Sequence, residues 1–158
     1  MRVAIVGQGY VGTAIGTAAK KAGHQVLGIE TNEKKIQELT EIGYPVTSDY
    51  STIKNSEVII LAVPTPLNEK REPDLSFIES ACNSIKPHIQ KDSLIINEST
   101  SFPGTLRNVI APILGDQYQY ASAPERVDPA NEKWDVTNTP RLIGGLTKVA
   151  TEKAKEFY

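Results

Sequence analysis

The chain has 158 residues, 39% of them hydrophobic, with a net charge of -2 and a pI near 5.7. This suits one domain with a real core, and the mildly acidic balance argues against nucleic acid or an anionic membrane as a partner. A single cysteine excludes an internal disulfide framework and a four-thiolate metal site, and no metal is expected; with no signal peptide and no apolar run long enough to cross a bilayer, a cytoplasmic protein is expected.

Val3-Ala4-Ile5-Val6 reads as a strand buried on both faces. It feeds Gly7-Gln8-Gly9-Tyr10-Val11-Gly12 and then the helix-forming residues Thr13, Ala14 and Ile15. Strand, G-x-G-x-x-G and helix together form a dinucleotide-binding device. Gly7 permits the tight turn, Gly9 lets the backbone approach a pyrophosphate, and Gly12 lets the helix lie close on the sheet. A helix is predicted from Val11 to about Ala22, with Val11, Ile15, Ala18 and Ala22 as its apolar stripe and Gly23 as its stop.

The second strand, Gln25 to Ile29, ends on Glu30, about 20 residues past the glycines, where the fingerprint places an acidic residue. A carboxylate there accepts hydrogen bonds from ribose hydroxyls and repels a 2′-phosphate, which points to NAD rather than NADP. The plainer alternative is a surface Glu before a helix capped by Thr31 or Asn32. That helix, Asn32 to Thr40, turns Ile36 and Leu39 inward and carries Lys35 in its first turn. Lys35 either reaches the adenosine end of the cofactor or is a solvated lysine.

A short third strand is expected within Tyr44 to Asp49, and a clear fourth over Glu57 to Val63. The βα alternation implies a doubly wound, Rossmann-like α/β fold, mainly parallel, with the cofactor at the switch point beside the first strand. Pro64-Thr65-Pro66 leaves the sheet there, stiffly enough to aim the Thr65 hydroxyl at the crevice, unless Thr65 is an ordinary loop residue. Leu67 to Pro73 is a polar surface loop. Asp74 or Ser76 caps a helix whose buried stripe is Leu75, Ile78, Cys82 and Ile85, so Cys82 reads as core packing rather than a nucleophile.

Ser93 to Asn97 is the next strand, opening into the hydroxyl-rich run Glu98-Ser99-Thr100-Ser101. A helix follows Pro103, with Leu106, Val109, Ile110 and Ile113 inward. Tyr118 to Ala123 is a further strand ending in Pro124-Glu125-Arg126-Val127-Asp128-Pro129. Arg126 either binds phosphate in a bidentate manner or pairs with Glu125 or Asp128. Asn131 to Thr139 is irregular, Arg141 to Gly145 is read as one more strand, and Thr147 to Tyr158 as a helix. Lys148, Lys153 and Lys155 are expected to form a solvated face.

Taken together, these motifs resemble the nucleotide-sugar dehydrogenases, the UDP-glucose/GDP-mannose dehydrogenase family. The matching stretches are Gly7 to Gly12, Val63 to Pro66 with Pro73 to Ser76, Glu98-Ser99-Thr100, Pro103-Gly104-Thr105, Pro124-Glu125-Arg126 and Arg141 to Gly145. They keep the family's order and cover essentially the whole chain. The Pro-Glu-Arg-Val-Asp-Pro form looks most like members acting on UDP-N-acetylglucosamine or UDP-N-acetylmannosamine, although Ala130 departs from the glycine expected after Pro129.

The resemblance implies a role for each matching position. Tyr10 and Val11 contact the pyrophosphate and ribose of NAD, Glu30 (more usually Asp) and Lys35 its adenosine side, and Thr65 and Thr100 its nicotinamide half. Glu125 and Thr100 are the candidate catalytic residues, Glu125 working near the reacting carbon. Glu125, Arg126, Val127 and Asp128 contact the UDP-sugar. The family chemistry oxidises a sugar C6 alcohol to a carboxylate with two NAD, through an aldehyde and a cysteine-bound thioester. The nucleophilic cysteine belongs to a second domain, and Cys82 lies in the wrong motif to replace it.

The expectation is therefore an NAD-binding domain over 1–158, whose last helix leads toward a missing central helix and C-terminal domain of a homodimeric enzyme. Alone it should bind NAD without turnover. Two alternatives are a β-hydroxyacid dehydrogenase relative and a non-enzymatic NAD-sensing domain. The Pro124-Glu125-Arg126 motif and the Gly144-Gly145 strand argue against the first. A reading frame continuing into a cysteine-bearing domain separates the dehydrogenase from the second.

Overall fold

A computed structural model describes residues 1–126 and 133–158. The first strand, β1 (Arg2–Val6), is buried along Val3 to Val6. Helix α1 (Tyr10–Lys21), strand β2 (Gln25–Ile29), helix α2 (Glu33–Glu41) and the two-residue strand β3 (Val46–Thr47) complete the first half. After a 3-10 turn over Tyr50–Asn55 come β4 (Val58–Leu61), α3 (Ser76–Ile85) and β5 (Leu94–Asn97). A π-helical turn at Leu106–Ile110 runs into α4 (Ala111–Leu114), followed by β6 (Gln119–Ser122), β7 (Gly144–Gly145) and α5 (Lys148–Phe157).

The strands form one sheet in the order β3-β2-β1-β4-β5-β6-β7. Neighbours from β3 to β6 are parallel, and β7 is antiparallel to β6. This is the doubly wound Rossmann-like architecture. The chain winds outward from β1 in one direction, returns to β4 on the other side, and leaves the switch point between them.

Because side chains alternate along a strand, each central strand feeds two cores. Val3, Ile5, Val58, Ile60, Leu94 and Ile96 pack with Ile15 and Ala19 of α1 and Ala150, Ala154 and Phe157 of α5. Ala4, Val6, Ile59, Leu61 and Ile95 pack with Ile78, Cys82 and Ile85 of α3 and with Leu106, Ile110 and Leu114. Both faces are covered, so the strands read as continuous apolar runs. Among the described residues, no helix is long and apolar enough to cross a membrane.

Several local expectations shift. The buried face of α1 is Gly12, Ile15, Gly16 and Ala19, while Ala22 is exposed. The helix rolls onto its glycines because they allow close approach; a Cβ at Gly16 would lie 1.9 Å from the Tyr44 hydroxyl. The last strand is Gly144–Gly145 rather than Arg141 to Gly145. Arg141 turns instead toward the buried carboxylate of Glu98, and Leu142 is exposed. Lys153 is not simply solvated, since its Nζ donates to the Asp92 carbonyl at 3.3 Å.

Candidate active site

The switch point opens into a cleft of about 640 Å³, lined by residues 6–11, 29–32, 35, 50, 62–64, 77, 80 and 81. Its floor is the glycine loop. Gly7 has φ +91°, and a Cβ there would meet the Ala62 carbonyl oxygen at 2.4 Å, so the turn requires glycine. A Cβ on Gly12 would lie 2.0 Å from the Gly7 carbonyl oxygen, so α1 can start this close only with glycine there. Gly9 differs: a Cβ there would touch nothing within 4 Å. The fold itself does not need that glycine, which leaves the space above it for a ligand. Gly9 is also the N-cap of α1, and no side chain caps the helix. The first-turn amides and the positive end of the helix dipole are thus available to a phosphate.

Main-chain bonds hold the loop. Gly7 N–H donates to Ile29 O at 2.9 Å and Gln8 N–H to Glu30 Oε2 at 2.9 Å. The Gln8 side chain, fully buried, donates from Nε2 to Ile5 O at 2.7 Å and sits over Gly28, where a Cβ would meet its Cδ at 2.6 Å. Sequence reading missed this wedge, although a glycine inside the apolar second strand was its signal.

Glu30 lies at the rim of the cleft and does two jobs. Its Oε1 accepts from the Thr31 and Asn32 amides at 2.8 and 3.0 Å, while Oε2 accepts from Gln8. A carboxylate has about four acceptor sites, so one remains on Oε2 for a hydroxyl. Asn32 caps α2 by accepting from Lys35 N–H at 3.1 Å. Lys35 lines the cleft and its ammonium lies 3.6 Å from Glu38. Tyr10 stands at the mouth, 56% exposed. Tyr50 and Phe77 also line the cleft and were not singled out from sequence. Burial pushes the Tyr50 hydroxyl up, a hydrogen bond with Ser84 pulls it down, and the Glu30 charge adds to the rise.

Beyond the cleft, side chains lace the loops after β4 and β5 together. Thr65 donates its hydroxyl to Thr100 O at 2.6 Å. Ser99 Oγ accepts from Val63 N–H at 3.0 Å and donates to Val63 O at 2.8 Å. Thr65 and Thr100 are thereby brought together, with Thr100 exposed. Within this hydroxyl run, Ser99 is the buried linchpin that sequence reading did not separate from its neighbours.

Glu98 is buried and forms an ion pair with Arg141 and a hydrogen bond with the Tyr158 hydroxyl. Burial pushes the Glu98 carboxyl up, while Arg141 and the Tyr158 hydroxyl pull it down; Glu125 is close enough to add to the rise. Glu125 is half-buried and Arg126 exposed at the end of β6. Val127 and Asp128, also expected to contact substrate, lie outside the described residues.

The sequence profile of the UDP-glucose/GDP-mannose dehydrogenase family, NAD binding domain, matches residues 1–47 and 41–158. The chain belongs to this family. The match selects it over the β-hydroxyacid dehydrogenase alternative, and the family cofactor, NAD, fits the uncapped helix and the open space at Gly9. The chain is 32% identical to a UDP-N-acetyl-D-mannosamine dehydrogenase of Methanocaldococcus jannaschii, over 99% of this chain and 42% of that protein. It is 29% identical to a UDP-N-acetyl-D-glucosamine 6-dehydrogenase of Salmonella typhi, over 100% of this chain and 43% of that one. The solved UDP-D-ManNAc dehydrogenase of Pyrococcus horikoshii superimposes with a TM-score of 0.85 at 27% identity, covering 100% of this chain and 44% of that one. The chain thus spans less than half the length of the curated relatives it matches.

Proposed function

We propose that this chain is the NAD-binding half of a nucleotide-sugar 6-dehydrogenase that oxidises the C6 alcohol of a UDP-N-acetylhexosamine to a carboxylate with two NAD. The observation that carries the reading is the uncapped α1 N-terminus over an open Gly9, at the mouth of a 640 Å³ cleft, in a chain of this family. NAD, when bound, supplies the hydride acceptor. The amides at Gly9 to Gly12 hold its pyrophosphate, with Tyr10 and Val11 beside the phosphates and ribose. The remaining acceptor site of Glu30 takes a ribose hydroxyl, and Lys35 closes the adenosine end. Ile29, Tyr50 and Phe77 give a planar base an apolar wall. Thr65 and Thr100, joined by their hydrogen bond, form the rim of the nicotinamide half. Glu125 acts near the reacting carbon, and Arg126, with Val127 and Asp128, contacts the nucleotide sugar.

The thioester step needs an accessible thiolate. The single cysteine here, Cys82, is fully buried, and burial pushes its thiol up to about 12. The nucleophile comes from elsewhere, so the purified chain binds NAD but forms neither the thioester nor the carboxylate. The test is to load the chain with NAD and titrate UDP-N-acetylmannosamine, UDP-N-acetylglucosamine, UDP-glucose and GDP-mannose. The N-acetylated UDP-sugars should bind best. A preference for GDP-mannose would overturn the substrate reading, and formation of the sugar carboxylate by the chain alone would overturn the division of labour.

A further inference from the structure

Glu98 immediately follows β5 and is 1% exposed. Its Oε1 accepts from both the Arg141 guanidinium and the Tyr158 hydroxyl. Its Oε2 has no hydrogen-bond partner among the described residues. The guanidinium also lies 3.5 Å from the carbonyl of Ala123, two residues before Glu125, and 4.0 Å from the centroid of the Tyr158 ring. Three segments therefore meet on one ion pair: the end of β5, which leads into Thr100; the end of β6, which leads into Glu125; and the end of α5. A buried ion pair is a poor source of stability, because desolvation can exceed the attraction and an apolar cluster of equal volume serves as well. Its geometry is what an apolar cluster cannot supply. A guanidinium has directed donors, and here they face the ends of two adjacent strands.

Resting on the reading that NAD runs from the glycine loop toward Thr100 with Glu125 nearby, we propose that Glu98, Arg141 and Tyr158 are positioning residues. The ion pair sets the spacing between the Thr100 and Glu125 loops, and the Tyr158 hydroxyl ties the last turn of α5 to that spacing. None of the three needs to touch substrate. They act through Thr100 and Glu125, the residues expected at the nicotinamide end.

The test separates the two ends of the cofactor. NADH is titrated into the chain, with affinity read by calorimetry and the nicotinamide environment by its fluorescence. The wild-type chain should change the emission of bound NADH. Arg141→Met and Glu98→Gln should keep the affinity within about threefold, since the glycine loop and Glu30 are untouched, while the emission change falls by half or more. Tyr158→Phe should give a smaller loss, and Arg141→Lys, which keeps the charge, should restore part of what Arg141→Met removes. Tyr158→Phe deletes a single hydroxyl, so it carries the test if Arg141→Met does not fold. Variants that lose affinity and melting temperature while keeping the emission change per bound NADH would overturn the proposal. So would a wild-type chain that binds NADH with its emission unaltered. A folded wild-type chain that binds no NADH would instead overturn the cofactor reading beneath it.

Discussion

The two sides of the sheet's carboxyl edge are built in different ways. Around the β1–β4 switch point the site is mostly backbone: a turn at Gly7, an uncapped helix at Gly9, and a carboxylate, Glu30, whose acceptors are largely taken by main-chain amides. Around β5 and β6 the site is held by side chains, through Ser99, the Thr65 hydroxyl and the buried Glu98–Arg141–Tyr158 cluster. A backbone-built site tolerates changes of side chain but not of Cβ. A site built on a buried charge is sensitive to the loss of either partner. The first arrangement suits a ligand common to many enzymes, and the second can be retuned residue by residue.

The largest effect should come from the side-chain half. Arg141→Met leaves the Glu98 charge buried and unpaired and should cost about 3–5 kcal/mol in chemical denaturation. A loss well under 1 kcal/mol would show that the pair is not the clamp described. On the backbone half, Gly12→Ala places a Cβ 2.0 Å from the Gly7 carbonyl oxygen and should cost on the order of 3 kcal/mol, together with NAD binding. Glu30→Gln removes charge-assisted acceptors from three amides and should cost about 2 kcal/mol. The same variant should narrow discrimination against NADP at least tenfold, read by paired titrations.

Alkaline stability samples the two cores away from the edge. Burial pushes the Cys82 thiol and the Tyr44 hydroxyl each up to about 12, so the folded chain keeps protons that the unfolded chain has released. The unfolded values are about 8.5 for the thiol and about 10 for the phenol. Stability is fully present below those values and falls as pH rises toward 12, by about 1.4 kcal/mol per pH unit for each group. Cys82→Ser should flatten the early part of that decline. The smallest stability effect belongs to Gly9→Ala. Its Cβ meets no protein atom within 4 Å and its φ is -67°, and the gain from a stiffer unfolded chain is offset by the poorer N-cap, so stability should stay within about 0.5 kcal/mol. NAD affinity should nonetheless fall at least tenfold, separating a glycine kept for the ligand from one kept for the fold.

The backbone half was legible in the sequence because its signals are local. Val3 to Gly12 carries strand, turn and helix start in ten consecutive residues, and Glu30 follows at the expected distance. The doubly wound, mainly parallel class followed from apolar strand runs alternating with helical stretches. The features that no local pattern signals depend on contacts between distant residues. Gln8 sits over Gly28, 20 residues away, and Glu98 meets Arg141 across 43. The apolar residues after Arg141 dominate a strand pattern there, and no local rule sends its side chain to a buried carboxylate. The apolar stripe does not give the buried face of α1, because glycines, absent from any hydrophobic stripe, are part of what the helix buries there.

The most direct measurement is a calorimetric titration of the folded chain with NAD and, separately, with NADP. The account predicts saturable binding of NAD and at least tenfold weaker binding of NADP, because a ribose seated on Glu30 as proposed would bring a 2′-phosphate against its carboxylate. No detectable affinity for NAD in a sample shown to be folded, or tighter binding of NADP, would contradict it.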